Sequence, residues 1–245
     1  PYLDLYTASI DDEWRLANPK PFEGNINTKF HESSAVFTKD GSTMYFTRNN
    51  SKNGRKKVGK GKLVSLKIYK ATKQEDGTWG NVKELPFCSD SYAVAHPALS
   101  PDEKRLYFSS DMEGTMGQSD IWYVDINSGD SYGTPVNLGP SINTEARETF
   151  PFISKNNNLY FSSDGHLGLG GLDIFVVSLE SNGEFEEVTN LKKPINSNMD
   201  DFGFIFNEAE KIGYLSSNRE GSDGSVSDDI YRVWEVCGEI VLLGI

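Results

Sequence analysis

A chain of 245 residues is longer than most single domains, but all-β barrels and propellers of this length fold as one. With 37% hydrophobic and 12% aromatic residues it can close a packed core, which excludes general disorder. Its 36 acidic against 24 basic residues give a formal charge of −12, which repels phosphate backbones and anionic headgroups and excludes nucleic acid as the expected partner. No run of about 18 apolar residues offers a transmembrane helix, so direct membrane insertion is not expected. No signal peptide is visible, and the first residue is Pro1 rather than Met, so a processed or truncated product is expected. Cys88 and Cys237 leave the redox compartment open and are expected as thiols rather than a bridge.

In chain order, Asp4-Leu-Tyr6 and the stretch around Trp14 read as the third and fourth strands of a unit whose first two would lie upstream. The next unit runs from Ser34-Ala-Val-Phe-Thr38 through Met44-Tyr-Phe-Thr47 to Lys67-Ile-Tyr69. It is followed by His96-Pro-Ala-Leu-Ser-Pro-Asp-Glu-Lys-Arg-Leu-Tyr-Phe-Ser-Ser110 with Asp120-Ile-Trp-Tyr-Val124. Phe150-Pro-Phe-Ile-Ser-Lys-Asn-Asn-Asn-Leu-Tyr-Phe-Ser-Ser163 with Asp173-Ile-Phe-Val-Val177 repeats that plan. Phe202-Gly-Phe-Ile-Phe206, Gly213-Tyr-Leu-Ser-Ser217 and Asp229-Ile-Tyr231 repeat it again. The anchors at Asp4, Lys67, Asp120, Asp173 and Asp229 are 63, 53, 53 and 56 residues apart, a fixed period of the kind that marks propeller blades.

Within each unit apolar and polar residues alternate with period two and favour aromatic and β-branched types, which predicts strands. Asp40-Gly41, Asp76-Gly77, Pro101-Asp102 and Asn156-Asn157 supply tight turns between them. A short fourth strand follows each third, as at Trp79–Leu85 and Tyr132–Leu138, and Ile-Asn-Thr or Ile-Asn-Ser comes after it in three units. The predicted fold is all-β, a β-propeller of four-stranded antiparallel blades, four to six in number and incomplete at the ends of this chain.

The blocks His-Pro-x-Leu-Ser-Pro-Asp, Leu-Tyr-Phe-Ser-Ser-Asp and Asp-Ile-Trp resemble the TolB-type propeller repeat over nearly the whole chain. Ser162-Ser-Asp-Gly-His-Leu-Gly-Leu-Gly-Gly-Leu-Asp-Ile-Phe175 and Ser216-Ser-Asn-Arg-Glu-Gly-Ser-Asp-Gly-Ser-Val-Ser-Asp-Asp-Ile-Tyr231 resemble a narrower group. That group is the propeller-containing OmpA-family proteins of Bacteroidota, including the PorE-like component associated with type IX secretion. The resemblance implies residues 1–236 as the propeller and 237–245 as the first strand of a following regulatory-like β-sandwich. It also implies a periplasmic, outer-membrane-associated location and protein partners in the cell envelope. Peptidoglycan would be bound only through an OmpA-like domain that this chain lacks.

Little in the sequence points to chemistry, so no catalytic, cofactor-binding or metal site is predicted. His31-Glu32 lacks the second histidine of a zinc-protease helix, and His166 is expected to face solvent. Gly168-Leu-Gly-Gly171 joins two antiparallel strands with no helix to make it a phosphate loop. No Gly-x-Ser-x-Gly elbow is present. Asp223-Gly-Ser-Val-Ser-Asp-Asp229 is oxygen-rich but lacks calcium-loop spacing. Asp111, Asp120, Asp164, Asp173, Asp228 and Asp229 recur at equivalent places, which fits carboxylates that accept backbone N–H groups at the start of the third strand. The rival reading is a carbohydrate-binding or glycoside-processing propeller that uses such acids at a central channel.

Strand order separates short first-to-second turns from long, dissimilar second-to-third connections, and variable loops on a regular scaffold are where binding resides. The expected partner-binding face therefore comprises Arg48, Arg55, Lys56, Lys57, His96, Asp111, Glu148, Asp164, Asp201 and Arg219. It includes the one basic run, six cations between Lys52 and Lys62.

Overall fold

The computed structural model describes residues 3–52, 55–56, 65–179, 187–220, 227–236 and 238–244. They fall into two compact units, one of residues 1–99, 103–115 and 122–136, the other of 100–102, 116–121 and 137–245. Among the described residues the only helical turn is a short one at Ser128–Asp130.

β1 (Tyr6–Ile10) and β2 (Leu16–Pro21) form a two-stranded antiparallel sheet. The first blade follows as β3 (Glu32–Phe37) and β4 (Thr43–Asn49), then a small ribbon of β5 (Ser51–Lys52) with β6 (Arg55–Lys56), then β7 (Leu66–Lys73) and β8 (Trp79–Glu84). The second blade is β9 (Val94–Leu99), β10 (Arg105–Ser110), β11 (Asp120–Asp125) and β12 (Val136–Asn137). The third is β13 (Glu148–Ile153), β14 (Asn158–Ser163), β15 (Asp173–Ser178) and β16 (Thr189–Asn190). The fourth is β17 (Asp201–Asn207), β18 (Ile212–Ser217), β19 (Asp229–Val236) and β20 (Glu239–Gly244). The chain is thus all-β, with four antiparallel four-stranded blades of the β-propeller class. Strand β20, the segment read as the opening of a following β-sandwich, is hydrogen-bonded along β19 as the outer strand of its sheet.

Each blade is a strand meander with apolar side chains buried on both faces, which explains why the second strands carry Tyr-Phe or Tyr-Leu rather than a strict polar alternation. In the first unit Met44 and Phe46 pack one way, against Ile26, Tyr69 and Ala71. Tyr45 packs with Ile68, Leu85, Val94, Leu106, Phe108 and Trp122. In the second unit Ile174, Ile195, Phe204, Leu215, Tyr231 and Val233 form one cluster. Cys88 is a free, half-buried thiol, and burial pushes its pKa up to about 12, so it is protonated at neutral pH. Cys237 lies outside the described residues.

All four first strands carry the same irregularity. One extra residue enters β3, β9, β13 and β17, where the register against the second strand jumps. The residue at the bulge has a positive φ in every case: Ser34 at 47°, His96 at 56°, Phe150 at 48° and Gly203 at 64°. The bulge re-aims the strand end. For a side chain with a Cβ the left-handed conformation costs about 1 kcal/mol, so only Gly203 occupies it without strain.

Candidate functional site

The long connections and the loops entering each blade emerge at the same end of their own sheet, and there the repeated polar residues meet. Three entering loops share one arrangement. Thr28, Thr144 and Ser197 each donate a backbone N–H and a hydroxyl to the carboxylate four residues on, Glu32, Glu148 and Asp201. Those carboxylates begin the first strands and are buried, with exposures of 1%, 0% and 0%. Each is completed from the second-strand side, by Arg48 at 2.8 Å, by Ser163 Oγ at 2.7 Å and by Arg219.

The asparagine before each Thr or Ser pairs like a strand. Asn143 Oδ1 accepts the Ile121 N–H and its Nδ2 donates to the Ile121 carbonyl, at 2.8 and 3.1 Å. Asn196 does the same to Ile174, at 2.8 Å both ways, and Asn27 to Leu5. The isoleucine before each asparagine has its carbonyl capped by a different group: Arg48 for Ile26, His166 Nε2 at 2.8 Å for Ile142, and Arg219 for Ile195. His166, expected in solvent, is half-buried because its ring packs on Phe161 and Phe175.

The aspartates that open the third strands serve the loops before them. Asp120 accepts the Met116 and Gly117 N–H groups and Asn137 Nδ2, while Asp173 accepts the Leu169 and Gly170 N–H groups. At the end of the second strand, Asn49, Asp111, Asp164 and Asn218 each accept the N–H of the residue preceding the first strand. Burial works against the charge of Asp164, but the Arg147 guanidinium and N–H outweigh it and hold the carboxyl below its ordinary range.

The loop entering the second blade departs from this plan. Cys88-Ser89-Asp90 stands where the others have Ile-Asn-Thr or Ile-Asn-Ser, and Val94 replaces the buried carboxylate. The third-strand aspartate is Lys67 instead, 2% exposed, with Nζ 2.5 Å from Glu84 and 2.8 Å from Asp90. Asp90 also accepts Asn50 Nδ2. Burial disfavours the Lys67 charge, yet the bonds to Asp90 and Glu84 more than compensate and its pKa is raised. His96, the bulge residue here, is half-buried and donates its N–H to Thr47 Oγ1. Burial lowers its pKa to about 4, so the ring is neutral at pH 7.

Of the residues placed on the binding face, Arg48, Glu148 and Asp201 sit at the expected strand ends but are buried, with their charges turned to the loops they hold. Arg219 and Asp164 are half-buried and Asp111 is exposed. Arg55 and Lys56 form β6, and Lys57 lies outside the described residues, as does most of the oxygen-rich segment from Asp223. Among the described residues no group of three His, Cys, Asp or Glu side chains is arranged to hold a metal ion. No described helix is long and apolar enough to cross a membrane.

No family model matches the sequence, and no curated protein matches it. Solved structures do. A protein assigned as TolB from Agrobacterium tumefaciens superposes with a TM-score of 0.56 at 15% identity, covering 93% of this chain and 70% of that one. A puromycin-hydrolyzing peptidase of Mycobacterium tuberculosis gives 0.53 at 14%, over 98% of this chain but 35% of the peptidase. An α-L-arabinofuranosidase from Lactobacillus brevis gives 0.53 at 12%, over 90% and 79%. At such identities the shared property is the fold, and this chain has a TolB-like β-propeller fold.

Proposed function

We propose that this propeller is a non-catalytic protein-interaction scaffold of the periplasm, associated with the outer membrane and serving the type IX secretion machinery of a Bacteroidota cell envelope. The resemblance of its loop motifs to the OmpA-family propellers motivates the location. The observation that carries the non-catalytic reading is the engagement of the repeated acids. Glu32, Glu148, Asp201, Asp120 and Asp173 are all buried and accept hydrogen bonds from the loops beside them. A glycosidase needs two carboxylates facing the scissile bond, whereas these are turned to the N–H, hydroxyl, amide and guanidinium donors of the chain itself. Recognition then falls to what differs between blades: the long connections, which carry Arg55, Lys56 and Lys57 in the first and run on from the shared anchors Asp111 in the second and Asp164 in the third.

Photo-crosslinking in intact cells of the source bacterium tests this. Probes at Asp111 and Arg55 should capture envelope proteins that probes at the short turns, at Asp40 and Glu210, do not. Equal capture from both ends, or turnover of aryl glycosides by the purified protein that is lost in Asp120→Asn, would overturn the reading.

A further inference from the structure

The second-to-third connection of the third blade holds two leucines in solvent, Leu167 at 98% and Leu169 at 47% exposure. A lone exposed apolar residue needs no explanation, but this loop is fastened along its length. Ser163 Oγ accepts the Gly165 and His166 N–H groups, the Asp173 carboxylate accepts those of Leu169 and Gly170, and Asp200 Oδ1 accepts that of Leu172. The glycines report how tightly the loop lies. A Cβ would come within 1.9 Å of Thr144 Oγ1 at Gly165, 1.8 Å of Asp173 Oδ2 at Gly168 and 2.2 Å of the Met199 carbonyl at Gly170. A close-packed backbone of this kind holds the main chain that carries both leucines before any partner arrives, which lowers the entropic cost of binding.

Leu167, Gly168 and Leu169 line an open groove of about 450 Å³ together with Asn190, Lys192 and Lys193, and Asn190 Nδ2 donates to the Leu167 carbonyl. Both lysines are exposed. Two cations beside exposed leucines, in a chain of charge −12, select an occupant that carries both apolar and acidic side chains. A second copy of this chain and an anionic lipid surface spread their charge widely and meet the whole −12 field, whereas a short peptide meets the two lysines at contact range.

We infer that this groove binds an extended peptide segment of a partner protein, with apolar side chains seated against Leu167 and Leu169 and Asp or Glu residues against Lys192 and Lys193. The inference rests on the scaffold reading and names the chemistry of one of its partners.

The test selects phage-displayed random dodecapeptides on the whole chain and measures binding of the winning synthetic peptides by fluorescence polarisation. Three proteins are compared: wild type, Leu167→Ser with Leu169→Ser, and Lys192→Asn with Lys193→Gln. Because all four side chains are exposed, melting temperatures should agree, which separates binding from folding. Selected sequences should pair apolar with acidic residues. They should bind the leucine variant about tenfold or more weakly and the lysine variant several-fold weaker at low salt, with the deficit shrinking at high salt. Peptides that bind the leucine variant as tightly as wild type overturn the groove and leave the scaffold reading standing, since they then bind elsewhere on the chain. Failure to enrich any sequence pattern overturns the groove, and the crosslinking experiment judges the scaffold reading separately. Leucine-dependent sedimentation with phosphatidylglycerol vesicles, or leucine-dependent self-association in the ultracentrifuge, overturns the peptide in favour of a membrane or a second copy.

Discussion

The loops that enter the first, third and fourth blades and the loop that enters the second meet the same demand with different chemistry. Each must anchor itself to the start of a neighbouring third strand. The common solution is neutral: one asparagine amide returns both hydrogen bonds of a single residue, as Asn196 does for Ile174. The exceptional solution is ionic, a buried Lys67 held between Glu84 and Asp90. Neutral amides are indifferent to salt and pH. An ammonium with partners that keep 38% and 34% of their side-chain surface in water is sensitive to both.

The largest effect should come from stripping Lys67 of its partners. Glu84→Gln combined with Asp90→Asn leaves a buried ammonium uncompensated and should cost about 4 kcal/mol in urea unfolding. A loss below about 1 kcal/mol would mean that the lysine is neutral or hydrated and that the ionic junction is not one. Asn196→Ala should cost about 2 kcal/mol by orphaning the buried Ile174 N–H, while the Ile174 carbonyl keeps the Leu191 N–H. Asn27→Ala should cost less, because Asn27 is only half-buried. Equal losses at the two sites would break the link between burial and clamp strength.

His96 sharpens the contrast by pH. Its ring is kept neutral in the fold, with a pKa lowered by burial from 6.5 to about 4, while the unfolded chain protonates it near the ordinary value. Stability from this group is therefore intact above about pH 6.5 and lost as pH falls toward 4. Wild type should lose on the order of 2 kcal/mol more than His96→Asn between pH 7 and 4.5, read as the difference between their melting curves. Parallel curves would show that the ring is not held neutral. Smallest is Gly203→Ala, where an added Cβ has its nearest neighbour at 3.9 Å. The loss should be the backbone strain alone, about 1 kcal/mol by thermal unfolding. A loss above about 2.5 kcal/mol would mean that the bulge in the fourth blade is more constrained than its φ implies.

The strands, their order and the short and long connections were legible because they follow from alternation and turn chemistry, which side chains announce. The structural use of Asp120 and Asp173 was legible too, from their repetition. The role of Arg48 and Arg219 was not: at a strand end each reads as surface charge, and the carbonyls they cap, on Ile26 and Ile195, are backbone atoms without a sequence signature. The burial of Glu148 and Asp201 did have a signal, a Thr or Ser four residues before the acid in three units. The asparagine clamp was visible as Ile-Asn-Thr and Ile-Asn-Ser but mute, since its partner can be any residue's main chain. Lys67 showed itself only as a break in the aspartate pattern.

The clamps also define which piece of the chain is heritable as a whole. Leu5 with Asn27, Ile121 with Asn143 and Ile174 with Asn196 all straddle the boundary between one blade's strands and the next. A recombination breakpoint in such a boundary parts an amide from its partner, whereas one in the turns at Asp102, Asn156 or Glu210 parts none. The segment that duplication or exchange can move intact therefore runs from the second strand of one blade to the first strand of the next, out of phase with the sheets. Chimaeras joined at Asn156 inherit every clamp whole, while those joined between Ile121 and Asn143 must supply an asparagine from the incoming parent.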